Sequence, residues 1–67
     1  MIMISPAAFD KAFKEHDAKI TRRQNNPVVP EWGQYFIGDD LFLEQRNDGI
    51  NRPTYHVSEK FKELVGA

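Results

Sequence analysis

Cysteine is absent from this 67-residue chain. Disulfides, thiolate metal sites and a cysteine nucleophile are therefore excluded, and with them the cross-links that commonly stabilise small folds. A domain of roughly 60 residues buries only about 60% of the surface that its unfolded chain exposes, so its stability is marginal. We expect a single domain over residues 1–67 that relies on tight packing or on self-association.

Long apolar runs are also missing. Met1 to Ile4 is too short for the hydrophobic part of a signal peptide or for a membrane span, and 28% of the residues are charged. Together with the lack of cysteine, this composition predicts a cytoplasmic protein that has no membrane partner.

This chain also lacks a strong cluster of Lys and Arg, which is the usual mark of nucleic-acid binding. The net charge is -1, with a small excess of Lys and Arg in residues 1–30 and an excess of Asp and Glu in residues 31–48. Because phosphate binding needs clustered cations, nucleic acid is an unlikely partner. The acidic excess has two interpretations: attraction to the basic helix within the fold, or a patch that binds a basic, nucleic-acid-handling protein. This alternative site comprises Glu31, Asp39, Asp40 and Asp48.

No catalytic, metal-binding or nucleotide-binding motif is found, so we expect no enzymatic activity, no cofactor and no metal. Neither His16 nor His56 lies in a nucleophile elbow, a zinc-binding pair or a catalytic loop. His56 beside Glu44 has two interpretations: a general base with its orienting carboxylate, or a cross-strand ion pair, which is the commoner arrangement.

The first predicted element is an amphipathic helix from Pro6 to Arg23. Ser5 supplies an N-cap oxygen, and proline is favoured at the first helical position. Lys and Arg are concentrated in the last predicted turns, where the helix dipole favours them. Apolar or half-buried side chains recur at spacings of three and four, at Phe9, Ala12, Phe13, His16 and Ile20.

Three strands are predicted from alternation and turn residues, at residues 33–37, 41–46 and 54–57. Gly38 to Asp40 forms a three-residue hairpin loop, and Asn25 to Pro30 forms an extended connector because its prolines exclude helix and central-strand pairing. Ser58 caps a short helix that ends at Val65, and Met1 to Ile4 is a candidate extra edge strand. The fold class is α+β: one small α-β-β-β-α domain with an antiparallel three-stranded sheet packed against a long N-terminal helix.

The predicted register determines which residues form the core. It places Phe36 opposite Phe42, Ile37 opposite Leu41 and Glu44 opposite His56. The core then comprises Phe9, Phe13, Ile20, Tyr35, Ile37, Leu41, Leu43, Tyr55 and Val57. The short second helix either covers the other side of the sheet or packs beside the first helix and leaves that side exposed.

The other side of the predicted sheet mixes aromatic and polar residues, a composition typical of interface centres. Its candidate partner-binding residues are Trp32, Phe36, Phe42, Glu44, Arg46 and His56. We therefore predict a non-catalytic small binding protein of inhibitor or adaptor type that contacts another protein. Its size is compatible with a phage or mobile-element origin and with a sheet-on-sheet homodimer. The alternatives are a nucleic-acid-associated accessory module, which uses the basic helix end and the sheet aromatics, or a small structural or virion subunit.

Overall fold

The chain folds into a five-stranded antiparallel sheet with short helical segments. The computed structural model describes residues 1–25, 32–47 and 53–66. The elements are β1 (Ile2–Ile4), α1 (Pro6–Glu15), β2 (Arg22–Asn25), β3 (Gly33–Ile37), β4 (Asp40–Arg46) and β5 (Thr54–Val57), with 3₁₀ helices at Asp17–Lys19 and Glu59–Val65. The predicted α+β class is confirmed. None of the helices in these described ranges is long and apolar enough to cross a membrane.

Helix α1 begins where the sequence predicts but ends earlier. The Ser5 hydroxyl accepts a hydrogen bond from the N–H of Ala8 at 3.1 Å, and Pro6 occupies the first turn. The predicted continuation to Arg23 is wrong, because α1 ends at Glu15 and a short 3₁₀ turn follows.

Arg22 and Arg23 are not helical because they join the sheet as part of β2, which also includes Asn25, the predicted first residue of the connector. The backbone N–H of Thr21 donates to the carbonyl of Phe36 at 2.8 Å, and its hydroxyl accepts from the N–H of Gly38 at 2.9 Å. From Arg22 onward, β2 pairs antiparallel with β3. These tertiary hydrogen bonds override the weak helix preference of the segment.

The remaining strand predictions are largely confirmed. β3 and β5 have the predicted bounds, and β4 begins one residue earlier than predicted, at Asp40. The extra edge strand expected within Met1 to Ile4 is present as β1, which pairs with β5. The strand order is β1-β5-β4-β3-β2, so β1 and β2 extend the predicted three-stranded sheet to five. Connector residues 26–30 and the loop at residues 48–52 lie outside the described residues.

A β-bulge changes the predicted register between β3 and β4. Leu43 lies opposite Tyr35, as predicted, but Leu41 lies opposite Phe36. Phe42 is therefore an extra residue in β4, and the predicted pairing of Phe36 with Phe42 is wrong. Bulges of this kind bend the strand and re-aim a side chain.

The hairpin turn is shorter than predicted. Ile37 lies opposite Asp40 instead of Leu41, so the loop has two residues instead of three. Gly38 has a φ of 63°, a left-handed conformation that glycine adopts without steric cost. The tighter turn shifts the pairing by one residue, and the bulge absorbs this shift before the pairing of Leu43 is reached.

Phe42 belongs to the core as a result of the bulge. Its side chain is fully buried, and its ring meets those of His16 and Phe61 edge to face, with centroids 5.8 Å and 5.5 Å apart. The prediction that Phe42 lies on the exposed side of the sheet is therefore wrong. Leu41, predicted to be core, is half-buried on the opposite side, where it pairs with Phe36.

The other predicted core residues are all found in the core or packed against it. Phe9 is at the centre of an aromatic group, with its ring centroid 4.7 Å from that of Tyr55 and 6.1 Å from that of Tyr35. The buried apolar residues are Phe9, Ala12, Phe42, Leu43 and Val57. The half-buried residues packed against them are Ile2, Ile4, Phe13, Ile20, Tyr35, Ile37, Tyr55, Phe61 and Val65.

The second helical segment lies on the same side of the sheet as α1. It is a 3₁₀ helix without a side-chain cap from Ser58, and it ends at Gly66, whose φ is 72°. Phe61 contacts Phe42, and Val65 packs against the core. We call the side of the sheet that both segments contact the helix face and the opposite side the open face.

We expect Phe42→Ala to lower the free energy of unfolding by about 3–5 kcal/mol, because it deletes a fully buried aromatic ring. Phe36→Ala is the matched control, since Phe36 is half-buried on the open face and its loss leaves no core cavity. Urea denaturation followed by circular dichroism compares the two variants. A larger loss in Phe36→Ala than in Phe42→Ala would contradict this placement.

Candidate functional site

The open face is formed by side chains that alternate away from the helical segments. Leu43 and Val57 are buried beneath those segments, so the next residue of β4, Glu44, and the preceding residue of β5, His56, point to the other side. The pairing of the strands extends this assignment across the sheet. The open face comprises Met3, Arg22, Gln24, Gln34, Phe36, Leu41, Glu44, Arg46, Thr54 and His56.

A buried carboxylate lies at the centre of the open face. Glu44 is only 3% exposed. Among the described residues, however, no helical segment contacts this side of the sheet. The side-chain amide of Gln34 donates a hydrogen bond to Glu44 Oε2 at 3.0 Å, and Arg46 Nε donates to Glu44 Oε1. Neighbouring side chains therefore both cover and neutralise this carboxylate.

The surroundings of Glu44 favour its ionised form. Burial alone raises the pKa of its carboxyl, but the hydrogen bonds from Gln34 and Arg46 and the charges of Arg46 and His56 outweigh burial, so the pKa is lowered. Glu44 is thus a charged acceptor that fixes Gln34 and Arg46 in place.

His56 lies opposite Glu44 and belongs to the same cluster. Its Nε2 atom is 3.0 Å from Thr54 Oγ1, two residues earlier on the same strand. Burial and the positive charge of Arg46 lower the pKa of His56, a smaller contribution from the Met1 amino group acts in the same direction, and Glu44 opposes them. The neutral imidazole is therefore the favoured form in this position.

Arg22 adds a second cation to the open face. Its guanidinium carbon lies 4.1 Å from the centroid of the Phe36 ring, a cation–π contact between β2 and β3. Within the described ranges Arg22 has no carboxylate partner, whereas Arg23 pairs with Asp17 and Arg46 pairs with Glu44. Arg22 is exposed on the edge strand β2.

The structure brings together four of the six residues predicted to bind a partner. Phe36, Glu44, Arg46 and His56 all lie on the open face. Trp32 is half-buried directly before β3. Phe42 is separated from the others because its side chain is on the helix face.

The alternative acidic site is only partly within the described residues. Asp39 is exposed in the hairpin turn, and Asp40 accepts a hydrogen bond from Lys60 Nζ at 2.6 Å. Glu31 and Asp48 lie outside the described residues. Asp40 is thus an internal ion-pair partner of Lys60 in the Glu59–Val65 segment, and not of a cation from the predicted basic helix.

Gln34 and Thr54 belong to the Glu44 cluster, and Arg22 lies on the same open face. None of the three was among the six residues predicted to bind a protein partner. Gln34 could be found from the sequence, because the predicted register already placed it opposite Glu44. Arg22 could not be found in this way, since its spacing fits the end of the predicted helix.

The cluster contains a hydroxyl beside an imidazole, at Thr54 Oγ1 and His56 Nε2. A histidine base requires a third group that orients it through a hydrogen bond. The contacts of Glu44 among the described residues run to Gln34 and Arg46. Across the same ranges, no group of three or more His, Asp or Glu side chains is placed to hold a metal ion.

A shallow groove of about 340 Å³ lies on the helix side, between α1 and the Glu59–Val65 segment. Lys11 and Glu15 at its rim form an ion pair of 3.9 Å with each other. The groove is lined by Ala8, Lys11, Ala12, Glu15, Leu64, Val65 and Gly66, none of which was predicted to bind a partner.

Comparisons of the chain with protein-family models, with curated proteins and with solved structures found no match. The function is therefore inferred from the geometry of the open face alone.

We expect the stabilising effect of Glu44 to be lost in acid. Because its pKa is lower in the fold than in the unfolded chain, its contribution is present above the unfolded pKa, near pH 4, and disappears as the pH falls through the lowered value. Wild type should exceed Glu44→Gln in stability at pH 7, and the difference should shrink below pH 4 in urea denaturation. A difference that stays constant would contradict the charged state of Glu44.

His56 should produce a second pH dependence, closer to neutrality. Its pKa is lowered in the fold, so the unfolded chain binds the proton more readily and wild type loses stability as the pH falls below about 6.5. His56→Gln removes this proton uptake, so wild type should lose stability relative to the variant between pH 7 and pH 5. Identical pH profiles would show that His56 titrates normally.

Proposed function

We propose that this chain is a non-catalytic binding protein that contacts an acidic surface of another protein through the open face of its sheet. The observation that carries the proposal is the charge of this face. Among the described residues of this face the one carboxylate, Glu44, is buried, whereas the side chain of Arg46 is 58% exposed and Arg22 is exposed on the edge strand. A partner that binds this face therefore contacts the guanidinium groups of Arg22 and Arg46 and not the buried carboxylate of Glu44.

Preorganisation of the two arginines supports this proposal. Arg46 is held by Glu44, and Arg22 is stacked on the ring of Phe36. Both guanidinium groups are ordered before a partner arrives, which reduces the entropy lost on binding. Guanidinium groups also bind carboxylates through paired hydrogen bonds, and arginine is enriched among the residues that dominate binding energies.

The arrangement of the open face favours binding over catalysis. Its polar groups satisfy one another in the Glu44 cluster, and its exposed groups are arginines, which do not exchange protons near neutrality. An inhibitor or adaptor needs only such a preformed surface.

Neighbouring residues of β2 provide a matched test. Arg22 lies over Phe36 on the open face, whereas Arg23 lies over Phe13 on the helix face, with a distance of 5.1 Å between its guanidinium carbon and the ring centroid. We expect Arg22→Ala to weaken partner binding by about 30-fold, which corresponds to about 2 kcal/mol for a central arginine. Arg23→Ala should leave the affinity nearly unchanged.

Partners would first be retained from a lysate of the source cells on immobilised wild-type protein and identified by mass spectrometry. The purified partner would then be titrated by isothermal calorimetry against wild type, Arg22→Ala and Arg23→Ala. Equal loss of affinity in both variants, or loss in Arg23→Ala alone, would contradict binding through the open face.

A nucleic-acid-associated role is the second candidate, because an arginine stacked on a half-buried sheet aromatic also suits phosphates and bases. Anisotropy titrations with single-stranded and duplex oligonucleotides at 50 mM and 200 mM salt would test it. Phosphate contacts predict a steep loss of affinity with salt. Trp32, the only tryptophan, lies directly before β3, so its fluorescence provides an independent signal for binding in the same titrations.

A further inference from the structure

The two edges of the sheet differ in polarity. Edge strands present unpaired backbone N–H and C=O groups that can pair with a strand of another molecule, and charged side chains commonly prevent this. All four residues of β2, Arg22–Asn25, are polar and exposed, and two of them are arginines. β1, Ile2–Ile4, contains no polar side chain. Among the described residues, the β1 edge is therefore the unprotected one.

Exposed apolar side chains are concentrated at this unprotected edge. Met3 is 66% exposed and Met1 is 47% exposed, and they are the two most exposed large apolar residues in the part of the chain that the structure describes. Ile2 and Ile4 lie opposite Val57 and Tyr55 of β5 and are half-buried beside the core. A further strand beside β1 would cover apolar groups on both faces of the sheet.

We propose that β1 pairs antiparallel with β1 of a second copy, around a two-fold axis that passes beside Met3 and is perpendicular to the sheet. In this pairing Ile2 of each copy lies opposite Ile4 of the other, and no charges meet across the axis. The result is a continuous ten-stranded sheet.

The apolar β1 edge matches an identical edge of a second copy, and the charge of β2 explains why the assembly stops at two. The two β2 edges become the outer edges of the dimer, and pairing between them would bring Arg22 and Arg23 of different molecules together. The β1 contact uses the same surface on both copies and closes after two. Because β1 has only three residues, the interface is small and belongs to the weak, concentration-dependent class.

A single cysteine provides the sharpest test, because the natural chain has none. In the proposed dimer the Cα atoms of the two Met3 residues are about 4.5–5.5 Å apart, within the range that a disulfide spans. Met3→Cys should therefore form a cross-linked dimer in a glutathione redox buffer, read on a non-reducing gel. Gln24→Cys is the control, since Gln24 also lies on the open face but on the opposite edge. Equal cross-linking of the two variants would overturn the proposal.

Sedimentation equilibrium tests the interaction without a cross-link. Wild type should show an average mass that rises with concentration, whereas Met3→Lys should remain monomeric, because the substitution places two like charges at the axis. Met3 is largely exposed, so a thermal melt of Met3→Lys should show an intact fold. A wild type that stays monomeric up to about 1 mM, the range of the weakest specific contacts, would overturn the proposal. Unchanged association in folded Met3→Lys would do the same. The proposed binding of a partner by Arg22 is independent of all these outcomes.

Discussion

The extra residue in β4 is the constraint on which the rest of the structure depends. Leu43 occupies the helix face in regular register with Tyr35 and Val57, and the bulge lets Phe42 turn to the same face. Regular alternation would instead have placed Phe42 on the open face, and the Glu59–Val65 segment would have lost its aromatic contact. One shifted residue thus lets both helical segments share one core in a chain that has no cross-links. It also leaves the other side of the sheet without a helical segment in the part of the chain that the structure describes.

Glu44 shows that stability alone does not explain the open face. The hydrogen bonds and charges around Glu44 outweigh the cost of burying its ionised carboxylate, but an apolar residue of similar volume is often equally or more stabilising at such a site. The carboxylate does, however, determine where Gln34 and Arg46 lie. Its benefit is therefore the fixed geometry of a polar surface. Such order is of use to a surface that recognises another molecule.

Much of the fold follows from local sequence signals, and the exceptions have identifiable physical causes. Alternation and turn residues gave the bounds of β3 and β5, and the Ser5-Pro6 pair gave the start of α1. The segment around Arg22 was misassigned because its cations suit a helix terminus as well as a strand edge, and only backbone pairing with Phe36 distinguishes the two. The bulge was missed because loops of two and three residues both fit the Gly38 turn. The pairing of Glu44 with His56 was therefore predicted correctly, and the face on which Phe42 lies was predicted incorrectly.

The pairing of β1 with β5 has a consequence for how the chain reaches its fold. The hairpin of β3 and β4 joins residues close in sequence, whereas Ile2 and Val57 come from opposite ends of the described chain. Contacts between distant residues require closure of a long loop and form late, while hairpins close within about 1–10 μs. During synthesis β1 emerges before β2, β3 and β4, whereas its partner strand β5 emerges after them. Among the described strands, the apolar strand β1 therefore has the longest interval between its own synthesis and that of the strand with which it pairs. During this interval the nascent chain is most exposed to misassembly.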